Sequence, residues 1–177
     1  GSPHLEIFKQ KDIEVLLLSD RVDEWLVANF GEFEELSLKS IAKGDLDDLD
    51  SKEDKKKKEK TVKDYEKVIS KAQEILDNQV KEVKVSSRLS ESPSCLVADE
   101  NELGGNMERI MKSLGQDVPE TKPILEINPN HPLVMKLKTK IDDDIVKVLF
   151  DQAVLSEGGQ IKEPAEFVKR MNKLMLG

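Results

Sequence analysis

The sequence has 177 residues and a formal net charge of −8, with charged residues at 36% and hydrophobic residues at 37%. That length holds one ordinary domain, or one small domain with part of another. The acidic balance argues against phosphate-backbone binding, so nucleic acid is not an expected partner. Aromatic residues make up only 4%, which leaves Leu, Ile, Val and Met to fill the core. No stretch approaches the ~20 apolar residues that cross a bilayer, so no membrane partner is expected. The single cysteine, Cys95, excludes an internal disulfide and fits a reducing, cytoplasmic setting.

Residues 4–9 have the pattern of a helix end, and Ile13-Glu14-Val15-Leu16-Leu17-Leu18 reads as a fully buried strand. Ser19 and Asp20 are N-cap residues for a helix running to about Phe30, which carries Trp25 and Leu26. A second short strand is expected from Leu36 to Ile41. These elements are too few to bury a sheet on both faces. Residues 1–43 are therefore expected to be a fragment of a larger α/β layer. From Gly44 to Lys60 the composition turns to acidic and then lysine-rich runs, which reads as a solvated linker over residues 44–60. A helix from about Val62 to Leu76 follows, with Val62, Tyr65, Ile69, Ala72 and Leu76 on one face.

Val80, Val83, Val85 and Leu89 largely alternate with polar residues, and Ser94 to Ala98 is a second β-like run. The break at Glu91-Ser92-Pro93 predicts a hairpin between them. Leu103 to Leu114 reads as a helix closed by Gly115, Ile124 to Ile127 as a strand, and His131-Pro132 as a helix start. Two closing helices, near Asp142–Ser156 and Pro164–Met175, flank Gly158-Gly159. The fold class expected for residues 61–177 is α+β, a small mixed sheet with helices and a C-terminal helical hairpin.

The residue types that carry chemistry are sparse. His4, His131 and Cys95 have no zinc-ligand spacing. Asp45 to Asp50 lacks the glycine and distal glutamate of a calcium loop. No Gly-rich phosphate loop is present. Ser19, Asp20 and His131 compose a triad only on paper, without the glycines of a nucleophile elbow. No catalytic, cofactor or metal site is expected. Cys95 reads as a small buried apolar residue, or as a regulatory thiol with Arg88 as its only nearby cation.

The informative features are apolar surfaces. Ile141, Ile145, Val148, Leu149 and Leu155 form a stripe, and Val146, Phe150, Ala153 and Val154 extend it round most of the same helix. In the last helix Phe167, Met171, Leu174 and Met175 repeat at helical spacing. Such a hairpin either docks on its own domain or pairs with a symmetry mate, and the pattern leaves both open. Leu103, Met107 and Met111 form an i, i+4, i+8 row, an adaptable partner surface or ordinary core. Trp25 admits the same two readings.

Several strings then become recognisable. Leu16-Leu17-Leu18-Ser19-Asp20-Arg21-Val22-Asp23-Glu24-Trp25, Ser87-Arg88-Leu89 with Ser92-Pro93, Asn106-Met107-Glu108-Arg109-Ile110-Met111, Leu125-Glu126-Ile127-Asn128-Pro129-Asn130-His131-Pro132 and Arg170-Met171-Asn172 occur in this order. Together they resemble the heat-shock protein 90 family in its bacterial form, over nearly the whole chain outside the charged run. The resemblance implies that residues 1–43 end a middle domain and residues 61–177 form a dimerisation domain. It implies that the last two helices pair across a two-fold axis as an intermolecular four-helix bundle. The interface would then hold Ile145, Val148, Leu149, Gln152, Leu155, Phe167, Met171, Leu174 and Met175. It further implies a homodimer that binds unfolded client proteins, through Trp25, Leu103 and Met107, with Met111 on the same helix face. ATP and Mg would belong to the intact parent, not to this fragment. The chain closes on Met175-Leu176-Gly177 without Glu-Glu-Val-Asp, so tetratricopeptide-repeat cochaperones are not expected.

Overall fold

A computed structural model describes residues 2–18, 20–46, 49–99, 102, 105–117 and 121–176, with backbone alone for residues 21, 24, 28, 105–107 and 109. A 3₁₀ turn at Pro3–Leu5 leads into α1 (Glu6–Gln10), and α2 (Arg21–Asn29) follows. Asp20, one of the two expected caps, forms a capping box with Asp23 at the start of α2, and Ser19 lies outside the described residues. Ile13 to Leu18, the expected buried strand, is not a strand. It finds no ladder partner among the described residues, and Leu16, Leu17 and Leu18 are exposed. An apolar run becomes a strand only when a neighbour takes its backbone hydrogen bonds. The expected strand at Leu36–Ile41 is shorter, forming a hairpin of β1 (Glu32–Phe33) and β2 (Leu36–Ser37).

The expected linker also changes character. α3 spans Lys52–Leu76, starting well before the predicted Val62, because Ser51 and Asp54 form a capping box across the charged run. Lysine and glutamate are good helix formers, so a solvated composition does not prevent a helix. Tyr65, Val68, Ala72 and Leu76 are the buried residues of α3, and all lie in its second half.

The central sheet contains β3 (Glu82–Val85), β4 (Ser94–Val97) and β5 (Ile124–Ile127) in the order β3-β5-β4. β5 runs parallel to β3 and antiparallel to β4. The predicted β3–β4 hairpin is therefore wrong, because β5 lies between the two. All four residues of β5 are buried, as a central strand covered on both faces requires. Leu125 and Ile127 face the main core beneath α3 and α6 (Asp143–Ser156), with Val83, Val85, Val134, Leu137, Val146 and Leu149. Ile124 joins Leu89, Cys95 and Val97 in a second buried cluster. Fully burying one such aliphatic side chain contributes about 1.5–3 kcal/mol.

Glu126 is also buried, and Arg88 meets it. Arg88 Nε and its terminal amino groups donate to Glu126 at 3.0 Å, to Ile41 O at 2.6 Å and to Gly44 O at 2.6 Å. Ser86 Oγ donates to Glu126 at 2.6 Å. The segment at 41–46 is thereby strapped to the sheet, reinforced where Ala98 N donates to Ala42 O at 3.1 Å and Gly44 N to Ala98 O at 3.0 Å. A second tie comes from α1. Glu6 accepts from the backbone N–H of Ser90 at 2.7 Å, Glu91 at 2.8 Å and Ser92 at 3.1 Å, and from the Ser92 hydroxyl. Buried His4 lies 3.0 Å from Glu157 at the end of α6.

α4 (Gly105–Ser113) ends at Gly115 as predicted. Gly115 takes φ 74°, and Gln116 N donates back to Met111 O at 3.1 Å. α5 (Pro132–Thr139) starts with Pro132 in its first turn, capped by His131 Nδ1 accepting from Leu133 N at 3.3 Å. The chain closes with α7 (Pro164–Leu176), giving the mixed α+β architecture expected for the larger part.

Two outcomes test these ties. Arg88→Met leaves Glu126 buried and unpaired and should lower unfolding stability by about 3–5 kcal/mol, while Arg88→Met with Glu126→Leu should recover much of that loss. Urea unfolding midpoints of both variants check it. For Glu6, burial pushes the carboxyl up, but the Ser92 hydroxyl and the backbone N–H groups outweigh it and hold it below the ordinary glutamate value. The tie should therefore be fully present above that ordinary value and fade as pH falls through the depressed one. The stability gap between wild type and Glu6→Gln, followed from neutral to acid pH, should shrink toward zero.

Candidate functional site

The C-terminal hairpin is built from local signals that fix its geometry. Asp142 Oδ1 caps α6, accepting from Asp144 N at 2.9 Å and Ile145 N at 3.4 Å. α6 ends in a Schellman turn in which Gly158 N donates to Leu155 O and Gly159 N to Val154 O, both at 2.9 Å. Gly158 has φ 71°. A Cβ on Gly159 would sit 2.8 Å from Val154 Cγ1 and 2.9 Å from Val154 O, so the turn needs glycine there.

α6 packs on β4 and α3, and Ser94 Oγ donates to Leu149 O at 2.7 Å inside that contact. Ile145, Val148 and Leu149 are all buried within the chain itself. Gln152 is half-buried and Leu155 is exposed. On α7, Phe167, Met171 and Leu174 are half-buried toward α6, and Leu174 touches the main core. Val168, Met175 and Leu176 are 54%, 70% and 88% exposed, so the apolar face of α7 is only half covered.

Half-buried Phe167, Met171 and Leu174 seat α7, and ion pairs to α6 add to the contact. No residue of α7 is buried. Lys173 Nζ lies 2.5 Å from Asp144 Oδ2, and Arg170 reaches Asp151 at 3.4 Å and Asp144 at 4.0 Å. Lys173 holds the Asp144 carboxyl below its usual range. Burial pushes the Asp151 carboxyl up, against the pull of Arg170.

The second expected surface is only partly described. Trp25 is 67% exposed on α2, beside exposed Val22 and Leu26, and Phe30, Phe33 and Leu36 are exposed further on. Leu103 lies outside the described residues, as does the side chain of Met107, whose backbone is within α4. Met111 is half-buried, and among the described residues neither it nor Trp25 belongs to a buried cluster. Cys95 is wholly buried, and burial pushes its thiol well above its ordinary value, with Glu126 acting in the same direction. That suits the small-apolar reading.

Pattern reasoning missed the Arg88–Glu126–Ser86 network. Its only signal was a lone charge in the middle of a strand otherwise written Ile-Leu-Ile. Among the described residues no helix is long and apolar enough to cross a membrane, and no group of three or more His, Cys, Asp or Glu is placed to hold a metal ion.

Comparison with known proteins agrees over the whole chain. The family model described as Hsp90 protein matches residues 1–177. The Chaperone protein HtpG of Ruthia magnifica subsp. Calyptogena magnifica is 81% identical over 175 residues. The proteins of the same name from Vesicomyosocius okutanii subsp. Calyptogena okutanii and Nitrosospira multiformis are 78% and 55% identical. Each match takes in 99% of this chain and 28% of the relative, so the chain spans well under a third of those proteins. With its motifs, its mixed fold and a family match along its full length all in agreement, the chain belongs to the Hsp90 family, on the HtpG side of it.

Proposed function

We propose that this chain is the dimerising and client-holding part of a longer, cytoplasmic, ATP-driven chaperone. In this reading residues 1–43 end a middle domain, residues 44–60 connect, and residues 61–177 make the dimer. The observation that carries it is α7, an amphipathic helix with no buried residue whose Val168, Met175 and Leu176 remain exposed, as does Leu155 on α6. An apolar helix face left open is a natural isologous contact, and two such hairpins compose a four-helix bundle. Leu155, Phe167, Met171, Leu174 and Met175 would form its seam, with Gln152 at the edge. Ile145, Val148 and Leu149 would support it from the core. An obligate interface of this type buries at least ~2,000 Å². Holding two protomers together raises the effective concentration of whatever else each carries.

The ATP and magnesium chemistry would belong to the parts of the parent outside this chain. The role of this part is to hold the dimer and to present apolar surface. Trp25, with Leu103, Met107 and Met111, would receive exposed apolar segments of unfolded clients. The exposure of Trp25 supports that assignment.

Two measurements test the reading. Solution mass across a dilution series should give a dimer for the full chain and a monomer for a version stopped before Glu163. Loss of α7 removes no buried residue, so the shortened chain should stay folded. A monomer in both cases would sink the interface. Met107→Asp should leave the dimer intact and weaken suppression of aggregation of an unfolding test protein several-fold. If that variant were monomeric or unfolded, Met107 would be core and the client surface would have to be given up. A chain that dimerises yet never suppresses aggregation would be a plain oligomerisation domain.

A further inference from the structure

The first half of α3 takes no part in the core, yet its charges are ordered. Lys52, Lys56, Lys60, Lys63 and Lys67 are all exposed, and steps of four, four, three and four residues place them on one helix face. At 1.5 Å per residue the row is about 22 Å long. Among the described residues none of the five is held in an ion pair. The acidic residues of the same stretch lie off that face, Glu59 and Glu66 along one flank with Lys55, Glu53 and Asp64 along the other with Lys57. The result is a positive band on a chain whose net charge is −8.

The surroundings of the band select its partner. A flat anionic membrane would find no apolar residue to insert beside the row, since the one exposed large apolar residue of α3, Val62, is turned away from it. A nucleic-acid strand finds no exposed aromatic residue on α3 to stack a base, since Tyr65 is buried. An extended polypeptide fits better. Alternate side chains along an extended strand repeat at about 6.8 Å, close to the roughly 6.0 Å of four helix residues. About seven extended residues would cover the row.

We propose that the lysine row on α3 is a docking surface for an extended acidic protein segment carrying carboxylates at alternate positions. Each exposed pair is weak and screened by salt, so the contact is multivalent and reversible. It is separate from the hairpin of α6 and α7 and does not depend on client binding.

The test uses the full chain and a fluorescently labelled peptide of alternating Glu and Ser, followed by anisotropy at low and physiological salt. Binding should weaken as salt rises. Replacing all five lysines by Gln should weaken it by about tenfold or more, and replacing them by Arg should retain it. Gln is a good helix former, and a smaller variant, Lys56→Gln with Lys63→Gln, reports the same effect if the larger one does not fold. Lys136→Gln on α5 with Lys140→Gln just after it should leave binding unchanged. Undiminished binding by the Gln variants overturns the proposal, as does an equal loss from the α5 variant. Tighter, row-dependent binding of single-stranded RNA or phosphatidylglycerol vesicles would assign the row to another macromolecule. A change in the mass of the chain alone would make it a contact between copies.

Discussion

Glu126 sits in the central strand of a three-stranded sheet, where both faces are covered and water cannot solvate a carboxylate. A charge in that position is tolerable only if it is paired and its remaining lone pairs are occupied. Arg88 and Ser86 meet that demand from the turn that directly follows β3, which already lies beside β5. The guanidinium has donors to spare, and these take the carbonyls of Ile41 and Gly44. One buried ion pair thus joins β5 to the turn after β3 and fastens the N-terminal strap to the sheet.

The sheet is in turn the platform for the C-terminal helices. α6 is committed to it by five buried residues and by the Ser94 contact to the Leu149 carbonyl. α7 is attached differently, through Arg170 and Lys173 to acidic residues of α6, and keeps part of its apolar face open. A helix left apolar on its flank has the chemistry of a contact surface. The turn at Gly158 and Gly159 sets its angle against α6. α3 shows the same division along its length, with a second half built into the core and a first half that projects ordered charge.

Much of the local structure was legible. α2, α4, α5, α6 and α7 were anticipated to within a few residues, because Asp20, Gly115, Pro132, Asp142 and Gly158 act on their neighbours through backbone geometry alone. The cap at Ser51 is not legible in the same way, since a lysine run reads as a solvated linker although its residues form helix well. The apolar run at Ile13 to Leu18 shows the opposite case: its composition suggests burial, yet among the described residues no strand lies alongside it. For the candidate surfaces, the amphipathic stripes were visible. Which residues of each stripe face inward was not, and Ile145, Val148 and Leu149 prove to be core.

By itself the sequence determined the helices, their caps and the family, since these depend on residues close together in the chain or on strings of side chains in order. Only the tertiary structure decided the order β3-β5-β4, the pairing of Arg88 with Glu126 and the exposed flank of α7. Each of these depends on which distant segment arrives to take a hydrogen bond, neutralise a charge or cover an apolar face, and no local pattern encodes that arrival.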